Sequence, residues 1–545
     1  MAEQSEIMRV EAVVVGAGFG GLHMLHKLRE LGIEARLIEA ADDVGGTWHW
    51  NRYPGARCDV ESVLYSYSFS PVIDAEWRWS QRYADHAEIK RYLQFVADRL
   101  DLRKHIRFNE RVERAQFDDD RSEWVLTTSS GQAIAARFCI MATGPLTVGQ
   151  LPDIPGRDEF AGTTYHSARW PQQKVDFTGK RVGVVGTGSS GTQLIPPVAE
   201  EAKRLFVFQR TANFTVQARN YPMTEAQHAL WAENAGEMRV KMRANVITGA
   251  GDAFMTDEFR AHQQQDAHAF TPQERQAIFE ERWRIGGGST LMGAFRNVMT
   301  DEATNEIVSN FVRGKIREVV VDRQTAEDLQ PSGFPIGAKR LCVGTDFYET
   351  FNRPNVELVN LRREPIVSIT PTGIQTEARH IELDAIVFAT GFDAMTGALT
   401  SIDIVGSSGR ALREDWRDGA RSYLGLTIHG FPNLLTIGGP GSPSALTNVV
   451  MANEQHVDFI GGLLAHLRAQ GFTRFEASEA AQQNWATHCA AMAERTLFGR
   501  ADSWYLGANV PGKPRVVLPY TGGFVPYREK CDAVASSAYD GFTMR

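Results

Sequence analysis

Residues 10–21, VEAVVVGAGFGG, and residues 181–191, RVGVVGTGSSG, decide the fold of this chain. Each is an apolar run that closes on a glycine-rich turn. An amphipathic stretch follows each, LHMLHKLRELG after the first and TQLI after the second. The pattern reads as strand, tight turn and helix, the opening of a dinucleotide-binding βαβ unit. Gly16 permits the turn, Gly18 lets backbone approach a pyrophosphate, and Gly21 lets the helix pack on the strand. The phosphates then sit at the helix N-terminus. In the second unit Thr187, Gly188, Ser189 and Ser190 occupy the phosphate loop. One such loop is a weak signal. Two, on one polypeptide, mean two bound dinucleotides.

The residues that close the following strands separate the two sites. ARLIEA, residues 35–40, carries Glu39, whose carboxylate can accept hydrogen bonds from a ribose diol and would repel a 2′-phosphate. The corresponding strand of the second unit, RLFVFQ at 204–209, leads into Arg210, whose guanidinium can chelate a 2′-phosphate. An acid-tipped first site suits FAD and an arginine-tipped second site suits NADP(H). Five scattered cysteines (Cys58, Cys139, Cys342, Cys489 and Cys531) form no CxxC pair, which disfavours a disulfide reductase and a zinc site. Flavin, NADPH and oxygen are then the leading chemistry.

Composition excludes other classes. A net charge of −8 offers no basic surplus for a nucleic-acid partner. No apolar run approaches the roughly 20 residues that cross a bilayer. MAEQSEIMRV lacks the apolar core of a signal peptide, so a reducing cytoplasm is expected, with the protein a monomer or weak homo-oligomer. The expected fold is α/β, with two Rossmann-like dinucleotide-binding domains and a helical insertion in the NADP domain. Two ATG segments, at 141–144 and 388–393, each close an apolar strand and read as crossings between domains. Residues 1–150 and 384–545 are assigned to the FAD domain, the latter with a C-terminal segment. Residues 151–223 and 331–383 are assigned to the NADP domain. Residues 224–330, rich in Ala, Glu, Gln, Arg and Met, read as the helical insertion. The acidic run Asp118 to Asp120 reads as a solvated turn.

Between the glycine loops lies FAGTTYHSARWP, residues 160–171. Phe160, Gly162, His166, Trp170 and Pro171 fit the fingerprint FxGxxxHxxxW(P/D) of type I Baeyer–Villiger monooxygenases, which the chain resembles over essentially its whole length. Gly45, Gly46, Trp48, Tyr53, Pro54, Gly55 and Asp59 fit a second pattern of that family. The likeness continues through GAKRL at 337–341, GPGSPSALTN at 439–448 and SWYLGANVPGKPR at 503–515. Within the family it points to the phenylacetone and steroid branch rather than the cyclohexanone branch.

The resemblance implies that NADPH reduces FAD, that oxygen adds at flavin C4a, and that the resulting peroxide, kept deprotonated, converts a ketone to an ester or lactone. Arg340 matches the active-site arginine and Asp59 its partner; a guanidinium stays charged at any working pH. Lys339 matches a lysine that joins Arg210 on the 2′-phosphate, with Thr211 nearby, and Trp504 a tryptophan near the NADP ribose. The implied FAD contacts are Gly16, Gly18, Glu39, Thr47, Trp48, Asp59, Tyr65 and Val112. Ser444, Ala445 and Leu446 would face the ketone, with Val449 and Pro145 departing from the relatives' usual residues. His166 and Trp170 read as parts of a hinge rather than as acid–base groups, and neither as a metal ligand. Two other readings stand beside this one. A flavin-containing monooxygenase would oxidise nitrogen or sulfur and usually has Tyr where Trp170 stands, and sulfoxidation is compatible with either as a side activity. A non-catalytic NADP-binding flavoprotein would not need Asp59, Lys339 and Arg340.

Overall fold

The strand Met8–Val15 runs straight into the first glycine loop, and its neighbours on either side are parallel to it: Ala35–Ile38 and Ala133–Met141. Ala12, Val13 and Val14 are fully buried, which is why the second half of this strand is continuously apolar rather than alternating. The computed structural model describes residues 7–244 and 257–545. Its first sheet has eight strands. Beyond Ala133–Met141 it continues as an antiparallel meander through Glu123–Thr128 and Val112–Asp118. The second sheet has five strands, all parallel, in the order Val356–Asn360, Arg204–Gln209, Arg181–Val185, Ala385–Phe388, Thr163–His166. The chain therefore folds as two α/β dinucleotide units, each with its own hydrophobic core.

The two glycine loops are built alike. Gly16 has φ +105° and Gly186 has φ +109°. A Cβ on Gly21 would lie 1.8 Å from the Gly16 carbonyl oxygen, and one on Gly191 would lie 2.2 Å from that of Gly186. Helix and strand touch through these glycines. A Cβ on Gly188, by contrast, would meet nothing within 4 Å, so the loop opens there onto free space.

Two expectations need correction. Ala385–Phe388 pairs with both Val182–Val185 and Thr163–His166, so the second sheet extends past residue 384. These four residues are buried apolar fill between two parallel strands, and the return crossing comes only at the ATG turn after them. The described residues of 224–330 form helices at Glu225–Arg243, Asp257–His262, Pro272–Ile285, Gly288–Met292, Glu302–Val319 and Arg323–Asp328, with no strand among them. The helices are not all attached to the second domain, however. Trp231 and Met242 of Glu225–Arg243 enter the first core, and Arg239 and Arg243 pair at 2.8 Å with Asp74 and Glu454. The acidic run is, as read, an exposed turn at Asp119 and Asp120, and Asp119 also anchors it. Asp119 accepts hydrogen bonds from Ser407 Oγ at 2.6 Å, Ser408 N at 2.8 Å and Arg474 at 3.3 Å, tying the meander to the C-terminal third.

The two loop glycines separate by substitution. Gly191→Ala must push helix from strand and should destabilise the protein by about 1–3 kcal/mol, read as a lower thermal midpoint. Gly188→Ala should leave that midpoint unchanged and weaken NADPH binding, because its Cβ occupies only the space a phosphate would enter. An unchanged midpoint for Gly191→Ala, or unchanged NADPH affinity for Gly188→Ala, would contradict this assignment.

Candidate active site

At the first loop, Glu39 stands at the end of the strand Ala35–Ile38, 5% exposed, and both of its oxygens are held by backbone: Ala17 N donates at 2.6 Å and Ala41 N at 2.8 Å. Burial raises its pKa, and the two amides offset part of that shift. The turn Thr47–Trp50 leans on the loop, since a Cβ on Gly46 would lie 2.9 Å from the Gly18 Cα. The Trp48 indole donates to the Tyr65 hydroxyl at 3.3 Å, and Phe19 packs edge-on against Tyr65 with ring centroids 5.0 Å apart. Val112, buried, opens its strand close by. FAD fits this cradle. The glycine turn faces it, and Ser444 Oγ and Thr447 Oγ1 are buried without a protein partner in the loop beyond.

At the second loop, Ser189 and Ser190 begin the helix Ser189–Glu201. Thr187 Oγ1 donates to Gln209 Oε1 at 3.2 Å and to the Thr211 carbonyl at 3.4 Å, binding loop to strand end. Arg210 is exposed at that strand end. The Lys339 ammonium sits 4.8 Å over the Phe334 ring, and burial, then Arg210, lowers its pKa, with Arg362 adding to the effect. Arg362 was not singled out in the sequence. It donates through Nε to the Arg210 carbonyl at 3.1 Å, because the strand that ends two residues before it, Val356–Asn360, lies beside Arg204–Gln209 in the sheet. Three cations thus gather where the open phosphate loop ends. An anionic NADP(H) ribose phosphate fits them.

Between the loops, Arg340 and Asp59 meet although 281 residues separate them. Nε donates to Oδ2 at 2.8 Å and Nη2 to Oδ1 at 2.7 Å, a bidentate pair. Nη1 donates to the Ala445 carbonyl at 2.9 Å. The guanidinium side chain is one-third exposed, so it is fixed yet reachable. The charge of Asp59 raises the Arg340 pKa further above its ordinary value. Tyr505, overlooked within SWYLGANVPGKPR, lies buried against the same guanidinium, and burial pushes its hydroxyl up to about 12. Trp504 packs 4.3 Å from it and joins an apolar cluster with Ala394, Met395, Leu518 and Ala445. Ser444 is buried at φ +27°, a conformation unusual for a residue with a Cβ, and Ala445 and Leu446 complete its turn. Val449 starts the next helix, capped by Asn448 Oδ1.

The segment 160–171 lies away from this cluster. His166 Nδ1 accepts from Ala168 N at 3.0 Å and Nε2 faces the Gln150 carbonyl at 3.3 Å, an arrangement that requires a neutral ring; burial lowers its pKa accordingly. The Thr390 hydroxyl donates to the same carbonyl at 2.5 Å. Trp170 stacks on Tyr165 at 5.2 Å, and its amide donates to the Trp50 carbonyl at 3.4 Å. Phe160 packs beside the second sheet, and a Cβ on Gly162 would lie 2.6 Å from the Asp384 carbonyl oxygen. Among the described residues no group of His, Cys, Asp or Glu could hold a metal ion, and no helix is long and apolar enough to cross a membrane.

Residues 9–258 match the flavin-binding monooxygenase-like family. An acetone monooxygenase (methyl acetate-forming) of Gordonia sp. (strain TY-5) is 40% identical, with 98% of this chain and 99% of that one aligned. The phenazine N-monooxygenase PhzNO1 of Lysobacter antibioticus is also 40% identical, over 98% and 97%. An oxidised steroid monooxygenase structure bound to NADP is 47% identical, with a TM-score of 0.92 and 98% and 99% of the chains covered. At such identity over nearly complete chains, the chain belongs to the Baeyer–Villiger monooxygenases, FAD-containing and NADPH-dependent enzymes that oxygenate ketones.

Proposed function

We propose that the Asp59–Arg340 pair is the reacting centre of a ketone-to-ester or ketone-to-lactone oxygenation. The observation that carries this reading is the bidentate pair itself, a permanent cation held at the cleft by a carboxylate from the other domain. When bound, FAD accepts a hydride from NADPH and activates oxygen for transfer to the substrate. Arg340 faces the negative charge that develops in that transfer. Its pKa, raised by Asp59, keeps it a cation throughout. Asp59 fixes the plane of the guanidinium, and the third bond, to Ala445, ties the substrate loop to the same group. The cluster of Ala394, Met395, Leu518 and Trp504 makes that wall apolar, which excludes water and suits a ketone with apolar flanks.

Gly16, Gly18, Gly21, Glu39, Thr47, Trp48, Tyr65 and Val112 hold FAD in this reading. Thr187 to Ser190, Thr211 and Trp504 contact NADP, while Arg210, Lys339 and Arg362 share its 2′-phosphate. Ser444, Ala445, Leu446 and Val449 line the ketone pocket. Phe160, Gly162, His166 and Trp170 serve the crossing between domains. Free cysteines, four of the five buried, fit a reducing cytoplasm, where we place the enzyme as a monomer or weak homo-oligomer. A second reading, oxygenation of an aromatic nitrogen or a sulfur, is favoured by the phenazine N-monooxygenase relative. Product analysis with aryl, linear, cyclic and steroidal ketones, a thioether and a phenazine decides between them. Esters from ketones are expected, and N- or S-oxides as the only products would reject the ketone reading.

Arg340→Ala should retain FAD and its reduction by NADPH while ester formation falls about 100- to 1,000-fold, the usual cost of removing a charge-stabilising donor. Normal ester formation would remove Arg340 from the chemistry. Arg210→Ala and Lys339→Ala should each raise the KM for NADPH about 10- to 100-fold, as loss of a charged hydrogen bond does, and leave that for NADH unchanged. Parallel rises for both coenzymes would mean these cations do not read the 2′-phosphate.

A further inference from the structure

Gln193 is on the helix Ser189–Glu201, in the second dinucleotide unit, yet its side chain is spent on the first. Its Oε1 accepts from the Tyr53 hydroxyl at 3.1 Å and from the Arg57 amide at 3.2 Å. Its Nε2 donates to the Arg57 carbonyl at 3.0 Å. A primary amide is the side chain that can satisfy a backbone N–H and C=O of one residue together, as a neighbouring strand would. Gly55 makes the approach possible. It has φ +81°, and a Cβ there would lie 2.2 Å from the Gln193 carbonyl oxygen.

The segment so held ends at Asp59, two residues past Arg57. On its own side, Cys58 N donates to the Ala84 carbonyl at 3.1 Å and His86 N to that of Ala56 at 3.0 Å, so the segment moves with the first domain. Arg340 moves with the second, its chain continuing into Cys342–Gly344, which pairs with Thr215–Gln217. The Asp59–Arg340 pair therefore depends on the register of the two domains. Beside the segment lies a cavity of about 650 Å3, lined by Arg57, Cys58, Gln193, Glu200, Asn220 and Arg353 among others. Tyr53 and Ala56 seat the segment apolarly in the core of the second unit, and the amide bridge beside the cavity gives that attachment its direction.

We propose that Gln193 is a positioning residue that sets the Asp59 loop against the second dinucleotide unit, so that Arg340 is presented at the flavin while oxygen is transferred. The inference rests on Asp59 and Arg340 being the reacting pair. Loss of the bridge leaves both coenzyme sites intact and loosens only their relation. NADPH then still reduces the flavin, but a larger share of the two electrons and one proton it delivers as hydride, joined by one proton from solvent, goes to O2 as H2O2, and less ester forms.

The test measures ester and H2O2 formed per NADPH oxidised by purified FAD-loaded enzyme with a ketone that the wild type converts. Gln193→Ala should keep FAD content and the KM for NADPH, while ester per NADPH falls about fivefold, the worth of one neutral hydrogen bond, and H2O2 rises to match. Tyr53→Phe should move the ratio the same way by less. Gln193→Glu supplies the signature that a merely structural role would not give. As a carboxylate it accepts but cannot donate to the Arg57 carbonyl; as a carboxylic acid it does both. Its coupling should therefore recover as pH falls through the pKa of that acid, whereas Gln193→Ala stays uncoupled. Wild-type coupling in Gln193→Ala, or no recovery at low pH in Gln193→Glu, would overturn the proposal. Normal ester formation by Arg340→Ala would count instead against the reacting pair.

Discussion

A guanidinium two-thirds removed from water is tolerated only if its charge and its N–H groups are matched, and in this protein the match comes from another domain. Leaving either partner of such a pair alone would strand a charge in a cleft, a loss of several kcal/mol by order of magnitude. Arg340 spends Nε and Nη2 on Asp59 and Nη1 on Ala445. Those three bonds draw together the loop after Tyr53, the turn before Cys342 and the turn Ser444–Leu446, each anchored in different secondary structure. The fold has to deliver all three to within hydrogen-bond distance.

Interleaving the domains makes that delivery possible. Tyr53, Ala56 and Tyr83 belong to the first stretch of chain, yet pack in the core of the second unit beside Phe214 and Leu341. Trp231 and Met242 do the reverse. Each domain thus carries a hydrophobic anchor of the other, flanked by charged pairs such as Arg239 with Asp74. Apolar burial supplies most of the attachment, while hydrogen bonds such as those of Gln193 set direction, a division expected from their nondirectional and directional character.

What could be read from the sequence was what local sterics decide. Gly16 and Gly21 are legible because a turn and a helix–strand contact a few residues apart demand them, and Glu39 and Arg210 because a strand of known length ends at each. Arg362 was not legible: its nearness to Arg210 follows from the order of strands in the sheet, which spacing along the chain does not encode. Gln193 and Tyr505 were missed for the same reason, as ordinary residues whose partners are 136 or more positions away. The Asp59–Arg340 pair escaped this limit only through the resemblance to a family. The boundary near residue 384 failed because Ala385–Phe388 is equally apolar in either sheet, and only its pairing with Val182–Val185 assigns it.

The segment Phe160–Pro171 shows how a recognisable motif can be demanding without touching the reacting groups. Gly149 cannot take a side chain, since its Cβ would lie 2.6 Å from the His166 ring, and the Gly162 Cβ would meet both the Phe160 ring and the Asp384 carbonyl oxygen at 2.6 Å. One neutral imidazole accepts from Ala168 and faces Gln150, whose carbonyl also takes the Thr390 hydroxyl. Both passages of the chain between domains, near 150 and near 390, are therefore joined at a single ring. Protonation would place a second N–H against the Ala168 amide, and burial lowers the pKa of the ring, so both favour the neutral form. The constraint on these residues is mechanical. They tie the two passages of the chain between the units to one another.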